Sequence, residues 1–306
     1  MKAEMTGKKA IKAVNSIVNL ALLTVIMLLS TFAGYALWDS NQIHQAADKS
    51  HYAAYKPTMA DEGKSFRELQ ALNAEVFAWL SVYGTNIDYP VAQGQDNMKY
   101  VNTNAEGLYS LSGAIFLDCG NSKDFSDFNS ILYGHHMAKQ VMFGEIGSFA
   151  DREMFDSHKY GNLYFDGKDH GIEFFAFVHT DAYDSAVFAP DVREGQRQAC
   201  LDGLLAKATH KRDIGVTAQD RILLLSTCSS SSTNGRDILI GRITEEVFAD
   251  PTINSQTNDK NRDSQHCFVE EIYLWPLLLI ISEILLITRI LVIVYKRKSK
   301  KRSGDI

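Results

Sequence analysis

A cysteine and an arginine lie eight positions apart at the end of an apolar run, residues 222–225, and a histidine lies far upstream of them. Cys228 ends the string Leu-Ser-Thr-Cys, Arg236 ends Thr-Asn-Gly-Arg, and His135 belongs to Tyr-Gly-His-His-Met. A thiol has a reference pKa of about 8.5, so a thiol nucleophile needs a neighbour that favours the thiolate. An imidazole can take and return a proton, whereas a guanidinium stays charged and only donates hydrogen bonds. The three residue types together predict covalent acyl transfer.

Each of these residues also has a plain structural interpretation. Cys228 would be a small buried hydrophobe, His135 a loop histidine and Arg236 a surface charge. Free cysteines are among the most buried residue types, and a cysteine with a distant histidine is a weak signal by itself. For each residue taken alone, the structural interpretation is therefore the more common one.

Longer strings around these residues resemble the class B sortases, a family of cysteine transpeptidases. The resemblance runs from about Tyr52 to about Phe248 and rests on Thr-Asn-Ile-Asp-Tyr-Pro-Val at 85–91, Ile-Leu-Tyr-Gly-His-His-Met at 131–137, Met-Phe-Gly at 142–144, Leu-Ser-Thr-Cys at 225–228 and Thr-Asn-Gly-Arg at 233–236. It implies that Cys228 is the nucleophile, His135 the catalytic histidine and Arg236 the catalytic arginine. His135 is chosen over His136 because the family's histidine directly follows the glycine.

The resemblance also implies a reaction and its partners. The enzyme would cleave a sorting signal of secreted proteins after threonine, hold the product as a thioester, and transfer it to an amine of a peptidoglycan precursor or of a pilin lysine. By the same resemblance Asn97, Val101 and Ser226 line the peptide groove, although they also read as ordinary strand and turn residues. No cofactor and no metal site are expected. The alternatives are a thiol hydrolase of the same fold and a non-catalytic surface protein with two membrane spans.

Residues 13–38 form a stretch of 26 uncharged residues, longer than the roughly 20 that a helix needs to cross a bilayer. Lysines crowd the preceding residues 1–12, so the positive-inside rule predicts a cytosolic N-terminus and an extracellular catalytic domain. A cleaved signal peptide is the alternative, but its apolar core would be shorter.

A second apolar stretch, residues 272–295, precedes the basic tail 296–306 and predicts a second membrane helix with a cytosolic C-terminus. Glu283 and Arg289 interrupt it, each costing about 3 kcal/mol at a helix centre. An interfacial helix is the alternative. Among class B sortases a single N-terminal anchor is the usual pattern, whereas a C-terminal span resembles pilus-assembling sortases.

The domain between the spans is acidic. It holds 20 of the 31 Lys and Arg residues and 34 of the 37 Asp and Glu residues, for a net charge near −14. Binding to a nucleic acid requires a basic surface, so nucleic acid is excluded as a partner.

The spacing of apolar residues predicts one β-rich, mixed α/β catalytic domain. Residues 39–82 have helical spacing, 83–248 are mainly short strand-like runs with an inserted helix over 192–209, and 249–271 are a juxtamembrane linker. The resemblance sharpens this to a sortase-like closed β-barrel with N-terminal helices and an inserted helix, flanked by two transmembrane helices.

The remaining cysteines and a cluster of acids carry less information. Cys119, Cys200 and Cys267 are odd in number once Cys228 is free, which allows one disulfide but favours three unpaired thiols. Three aspartates at positions 118, 124 and 127 suggest a cation site, but they lack the pattern of a calcium-binding loop. We therefore predict a solvated turn there.

Overall fold

The N-terminal helix is long and apolar. The computed structural model describes residues 2–58, 63–229 and 233–251, and its first helix, α1 (Lys2–Ala47), is 46 residues long. Within Ile11–Tyr55 an 18-residue window has a mean hydropathy of 2.1, and none of that window is buried against protein. By length and composition this is a helix able to cross a membrane. The predicted second span, 272–295, and the tail after it lie outside the described residues.

A short amphipathic helix and a strand follow, and the strand differs from the prediction. In α2 (Lys64–Leu72) Phe66 and Leu69 are buried and the remaining side chains are mostly solvated. The helical spacing was predicted to continue to residue 82, but Val76–Val82 is strand β1. Six of its seven residues are buried, so both faces are apolar and the two-residue alternation that marks a strand is absent.

The rest of the domain is mainly a sheet, with two α-helices between its strands. Its strands are β2 (Asp88–Ala92), β3 (Ile115–Leu117), β4 (Asn129–Tyr133), β5 (Tyr160–Phe165), β6 (Lys168–Asp181), β7 (Ala208–Lys211), β8 (Arg221–Cys228) and β9 (Gly235–Thr244). Helix α3 (Arg152–Ser157) precedes β5, and helix α4 (Arg197–Lys207) follows a short 3₁₀ turn at Glu194–Gln196. The helix predicted over 192–209 is thus shorter, and its last residues begin β7.

The sheet closes on itself as a barrel of eight strands. The order is β5-β1-β2-β3-β4-β8-β9-β6, and β6 pairs back onto β5. The pairs β2–β3 and β4–β8 are parallel, and the others are antiparallel. Strand β6 is long enough, at 14 residues, to pair with β7 as well, outside the barrel. The predicted closed barrel with N-terminal helices and an inserted helix is confirmed.

Strand β8 is buried on both of its faces. Leu223 and Leu225 pack into the main core inside the barrel. Ile222 and Leu224 pack into a second cluster with Leu201 of α4. Successive side chains point to opposite faces of a strand, so the inserted helix covers the outer face of β8 just as the barrel interior covers the inner one. The continuous apolar sequence of this strand follows from that double burial.

We predict that Leu225→Ala lowers the free energy of unfolding by about 2–5 kcal/mol, because it opens a cavity in the barrel interior. Chemical denaturation of the detergent-solubilised chain measures this change. Leu72→Ala is the matched control: Leu72 is 59% exposed on α2, and its loss should change the unfolding free energy by no more than about 0.5 kcal/mol. Equal effects of the two substitutions would contradict the packing described above.

Candidate active site

Cys228 and Arg236 face each other across two adjacent strands. Cys228 is the last residue of β8, and the antiparallel register pairs it with Arg236 near the start of β9. Residues directly opposite in such a pair have Cβ atoms about 4.5–5.5 Å apart on the same face of the sheet. The thiol is exposed and the arginine is half-buried, with Nη1 donating to the Gly235 carbonyl at 3.1 Å. A fixed cation therefore lies beside an accessible thiol.

His135 is delivered to the same edge by the parallel strand β4. The register pairs Tyr133 with Ser226, two residues before the cysteine. Two hydrogen bonds extend the pairing past the strand end: the Gly134 N–H donates to the Ser226 carbonyl at 3.2 Å, and the Thr227 hydroxyl donates to the Gly134 carbonyl at 2.8 Å. The histidine follows directly. The three residues predicted to be catalytic thus lie at the same edge of the barrel.

The imidazole of His135 is oriented by a backbone carbonyl. Its Nε2 lies 2.8 Å from the carbonyl oxygen of Val101, in a 3₁₀ turn at Lys99–Val101. A carbonyl only accepts hydrogen bonds, so Nε2 carries the hydrogen and Nδ1 is left to exchange a proton. Val101 was predicted as a groove residue. Its contact with His135 is made by the main-chain carbonyl, which every residue type has, so the sequence gives no signal for this contact.

Gly113 allows the Val101 carbonyl to take that position. Its backbone has φ +60°, and a Cβ there would lie 2.7 Å from the Val101 oxygen and 2.4 Å from the Tyr100 oxygen. The Tyr100 oxygen is itself held by the Ala114 N–H at 3.0 Å. Any residue with a side chain would push these carbonyls away, so the position requires glycine.

Ser226, another predicted groove residue, has a buried hydroxyl that is not satisfied by protein. It lies on the same face of β8 as Cys228, since the two are separated by two positions. The side chain is 1% exposed, and its Oγ has no hydrogen-bond partner among the described residues. Buried hydroxyls are normally hydrogen-bonded, so this unpaired Oγ, two residues before the candidate nucleophile, is unusual.

Asn97, the third predicted groove residue, is held by the loop that follows β3. Its Nδ2 donates to Asp118 at 2.9 Å, and its Oδ1 accepts from the Cys119 N–H at 2.8 Å. Asp118 is 6% exposed. The expected solvated turn is therefore wrong at this aspartate, because protein donors replace water around its carboxylate.

Tyr133 joins this loop to the candidate catalytic residues. Its hydroxyl donates to Asp118 at 3.0 Å. Burial, and then the negative charge of Asp118, raise the pKa of Tyr133, while the positive charge of Arg236 acts in the opposite direction. The phenol consequently stays protonated and keeps donating to Asp118. Sequence reasoning missed both Tyr133 and Asp118 as parts of this site.

A cavity of about 500 Å³ lies at the same strand ends, on the face of the sheet opposite to the one that carries Cys228 and Arg236. His136, Ser229 and Asp237 line it, each next in sequence to a candidate catalytic residue. The Asp237 carboxylate accepts a hydrogen bond from Nδ1 of His179 at 2.8 Å. Since neighbouring residues of a strand point to opposite faces, Cys228 and Arg236 do not open into this cavity. Within the described ranges no group of three His, Cys, Asp or Glu side chains is arranged to hold a metal.

Comparisons with known proteins converge on one family. The chain is 30% identical over 182 residues to "Sortase B" of Staphylococcus aureus (strain NCTC 8325 / PS 47), an alignment that spans 58% of this chain and 74% of that protein. No protein-family model matches the chain.

Two solved structures extend the similarity. Sortase B from the Type II pilus of Streptococcus pneumoniae is 48% identical, with a TM-score of 0.52 over 58% of this chain and 98% of that one. A Streptococcus pyogenes class B sortase involved in pilus biogenesis is 42% identical, with a TM-score of 0.55 over 60% and 99% of the two chains.

We predict that Gly113→Ala slows the alkylation of Cys228 by iodoacetamide about ten-fold. The displaced Val101 carbonyl no longer accepts from Nε2 of His135, so the ring loses the contact that orients it. Loss of a hydrogen bond costs about 0.5–1.5 kcal/mol, and the upper end of that range corresponds to about a ten-fold change in rate. Mass spectrometry of the cysteine-containing peptides measures the rate, and the exposed thiol of Cys119 serves as the reference in each sample.

Gly215→Ala is the control for backbone strain in that experiment. Gly215 also has a positive φ, +69°, but a Cβ there would meet no atom within 4 Å. It should leave the alkylation of Cys228 unchanged. Equal slowing by the two alanines would show that strain, rather than the carbonyl, controls the thiol.

Proposed function

This chain belongs to the class B sortases, and from that membership we propose a membrane-anchored cysteine transpeptidase that cleaves a sorting signal of secreted proteins after threonine and transfers the product to an amine. The observation that carries the proposal is the register that sets Cys228 opposite Arg236 at the strand edge to which β4 delivers His135. A thiol, a proton carrier and a fixed cation at one edge are the groups that acyl transfer through a thioester requires.

In the first half-reaction the thiolate of Cys228 attacks the threonyl carbonyl carbon. The carbonyl oxygen becomes an oxyanion, which Arg236 and nearby backbone N–H groups stabilise by hydrogen bonds. His135 protonates the departing amine as the C–N bond breaks, and a thioester remains on the enzyme. The Val101 carbonyl supports this step because its contact with Nε2 orients the ring and leaves Nδ1 to give the proton.

In the second half-reaction an amine attacks the thioester. His135 accepts the proton of the amine, the C–S bond breaks, and the thiolate of Cys228 is regenerated with a new amide as product. Both solved structures described above come from pilus systems. That similarity favours a pilin lysine as the acceptor, with an amine of a peptidoglycan precursor as the second candidate.

The apolar helix α1 supports the proposed location. With the lysines of residues 1–12 in the cytosol, the barrel lies outside the cell, where secreted proteins pass. The predicted span over 272–295 would return the C-terminus to the cytosol.

We predict transfer rather than hydrolysis when an amine is supplied. The chain is incubated with Leu-Pro-x-Thr-Gly and Asn-Pro-x-Thr-Asn peptides, with and without a lysine-containing pilin peptide or a peptidoglycan-precursor amine. Mass spectrometry should detect an amide-linked product with at least one donor, and Cys228→Ala should abolish both cleavage and transfer. Water as the sole acceptor at every amine concentration would instead identify a thiol hydrolase.

Arg236→Lys should lower kcat for peptide cleavage about 10²-fold or more, because lysine keeps the charge but loses the planar pair of donors that an oxyanion needs. Arg242→Lys is the matched control. Arg242 lies on the same strand and donates to Glu173 at 2.7 Å, away from the thiol. Steady-state kinetics of both variants test the role, and near-normal kcat for Arg236→Lys would remove the arginine from the mechanism.

A further inference from the structure

Asp118 is a buried carboxylate with a fixed backbone, at the end of β3 and beside the candidate groove. Its N–H donates to the Ile131 carbonyl at 2.9 Å, and its own carbonyl accepts from Nε2 of Gln93 at 2.8 Å. The main chain is thus held from both sides. A main chain held in this way fixes the position from which the carboxylate projects.

Three donors converge on that carboxylate. Oδ2 accepts from the Tyr133 hydroxyl at 3.0 Å and from Nδ2 of Asn97 at 2.9 Å. Oδ1 accepts from the Gly120 N–H at 2.8 Å. Hydrogen bonds to a charged acceptor are roughly twice as strong as those between neutral groups. Loss of any of the three donors therefore leaves the buried carboxylate less well stabilised.

Two of these donors are side chains, and Tyr133 lies on the face of the sheet that carries Cys228, because it pairs with Ser226. Asn97 has its carboxamide fixed at both ends, since the Cys119 N–H binds its Oδ1. One Nδ2 hydrogen and one Oδ1 lone pair remain for a ligand. Tyr133 lies opposite Ser226 in the sheet register and two residues before His135.

We propose that Asp118 is a positioning residue for the acyl-donor peptide, which it serves by fixing the Asn97 carboxamide and the Tyr133 hydroxyl in the orientation that the peptide binds. This inference rests on the proposed function, because it concerns the side chains that bind the peptide in that enzyme. Asp118 itself does not touch the peptide.

Asp127 offers a matched comparison within the same loop. It accepts from Nδ2 of Asn121 at 3.1 Å and from the Ser122 N–H at 2.6 Å. It therefore joins the loop together as Asp118 does, but it bonds to neither Asn97 nor Tyr133. A purely structural role for Asp118 would make the two substitutions Asp118→Asn and Asp127→Asn equivalent.

Isothermal titration measures binding of a sorting peptide to the full-length Cys228→Ala chain. The peptide is the one that the wild-type chain cleaves fastest. If the wild-type chain cleaves neither signal peptide, both are titrated. Asp118→Asn in that background should raise the dissociation constant about ten-fold, because an asparagine has a single acceptor atom for three donors. Asp127→Asn should leave the dissociation constant unchanged. In the chain with Cys228 intact, Asp118→Asn should raise KM more than it lowers kcat.

Equal dissociation constants for the parent and Asp118→Asn would overturn the proposal, as would equal weakening by Asp118→Asn and Asp127→Asn, or a parent that binds neither peptide. Binding without cleavage by the wild-type chain would refute the transpeptidase function and still leave the effect of Asp118 measurable. A double-mutant cycle with Asn97→Ala adds a second readout, since the two substitutions should be non-additive only if they act through one contact.

Discussion

The register of strand β8 with its two neighbours is the constraint on which the site depends. β8 is hydrogen-bonded along both edges, to β4 in parallel and to β9 in antiparallel, inside a closed barrel with no free edge. Side chains alternate along a strand, so a slip of one residue would move Cys228 to the opposite face of the sheet, the face that now carries Thr227. Burial of Leu223 and Leu225 inside, and of Ile222 and Leu224 outside, makes such a slip costly.

Groups other than the three candidate catalytic side chains fix the candidate site. The Val101 carbonyl fixes the histidine, and the Asp118 carboxylate fixes Asn97 and Tyr133. Such contacts are strong in a partly buried environment, where water does not compete, and they fail together when one member is lost. The site therefore keeps its geometry through a few buried polar contacts at the edge of an apolar barrel.

Sequence reasoning predicted candidate site residues where residue type and strand pattern carry the signal. Cys228, His135 and Arg236 lie in recognisable strings, and the apolar run before the cysteine predicted β8. It failed where burial or the main chain decides the structure. Strand β1 shows no alternation of apolar and polar residues because both of its faces are buried. Asp118 was assigned to a solvated turn because charged residues usually lie on the surface. Val101 acts through its backbone carbonyl, which every residue type has.

Tyr89 shows how the same barrel couples distant parts of the chain to the histidine. Its buried hydroxyl donates to the Ala47 carbonyl and accepts from the Met142 N–H, each at 3.0 Å. The segment around Met142 folds back on the histidine, because the Phe143 N–H donates to the His135 carbonyl at 3.1 Å. Burial raises the pKa of Tyr89, so the hydroxyl keeps the proton that this bridge needs. The main chain on both sides of His135 is therefore anchored, through Gly134 to β8 and through Met142 to Tyr89, and the Val101 carbonyl orients the ring that it carries.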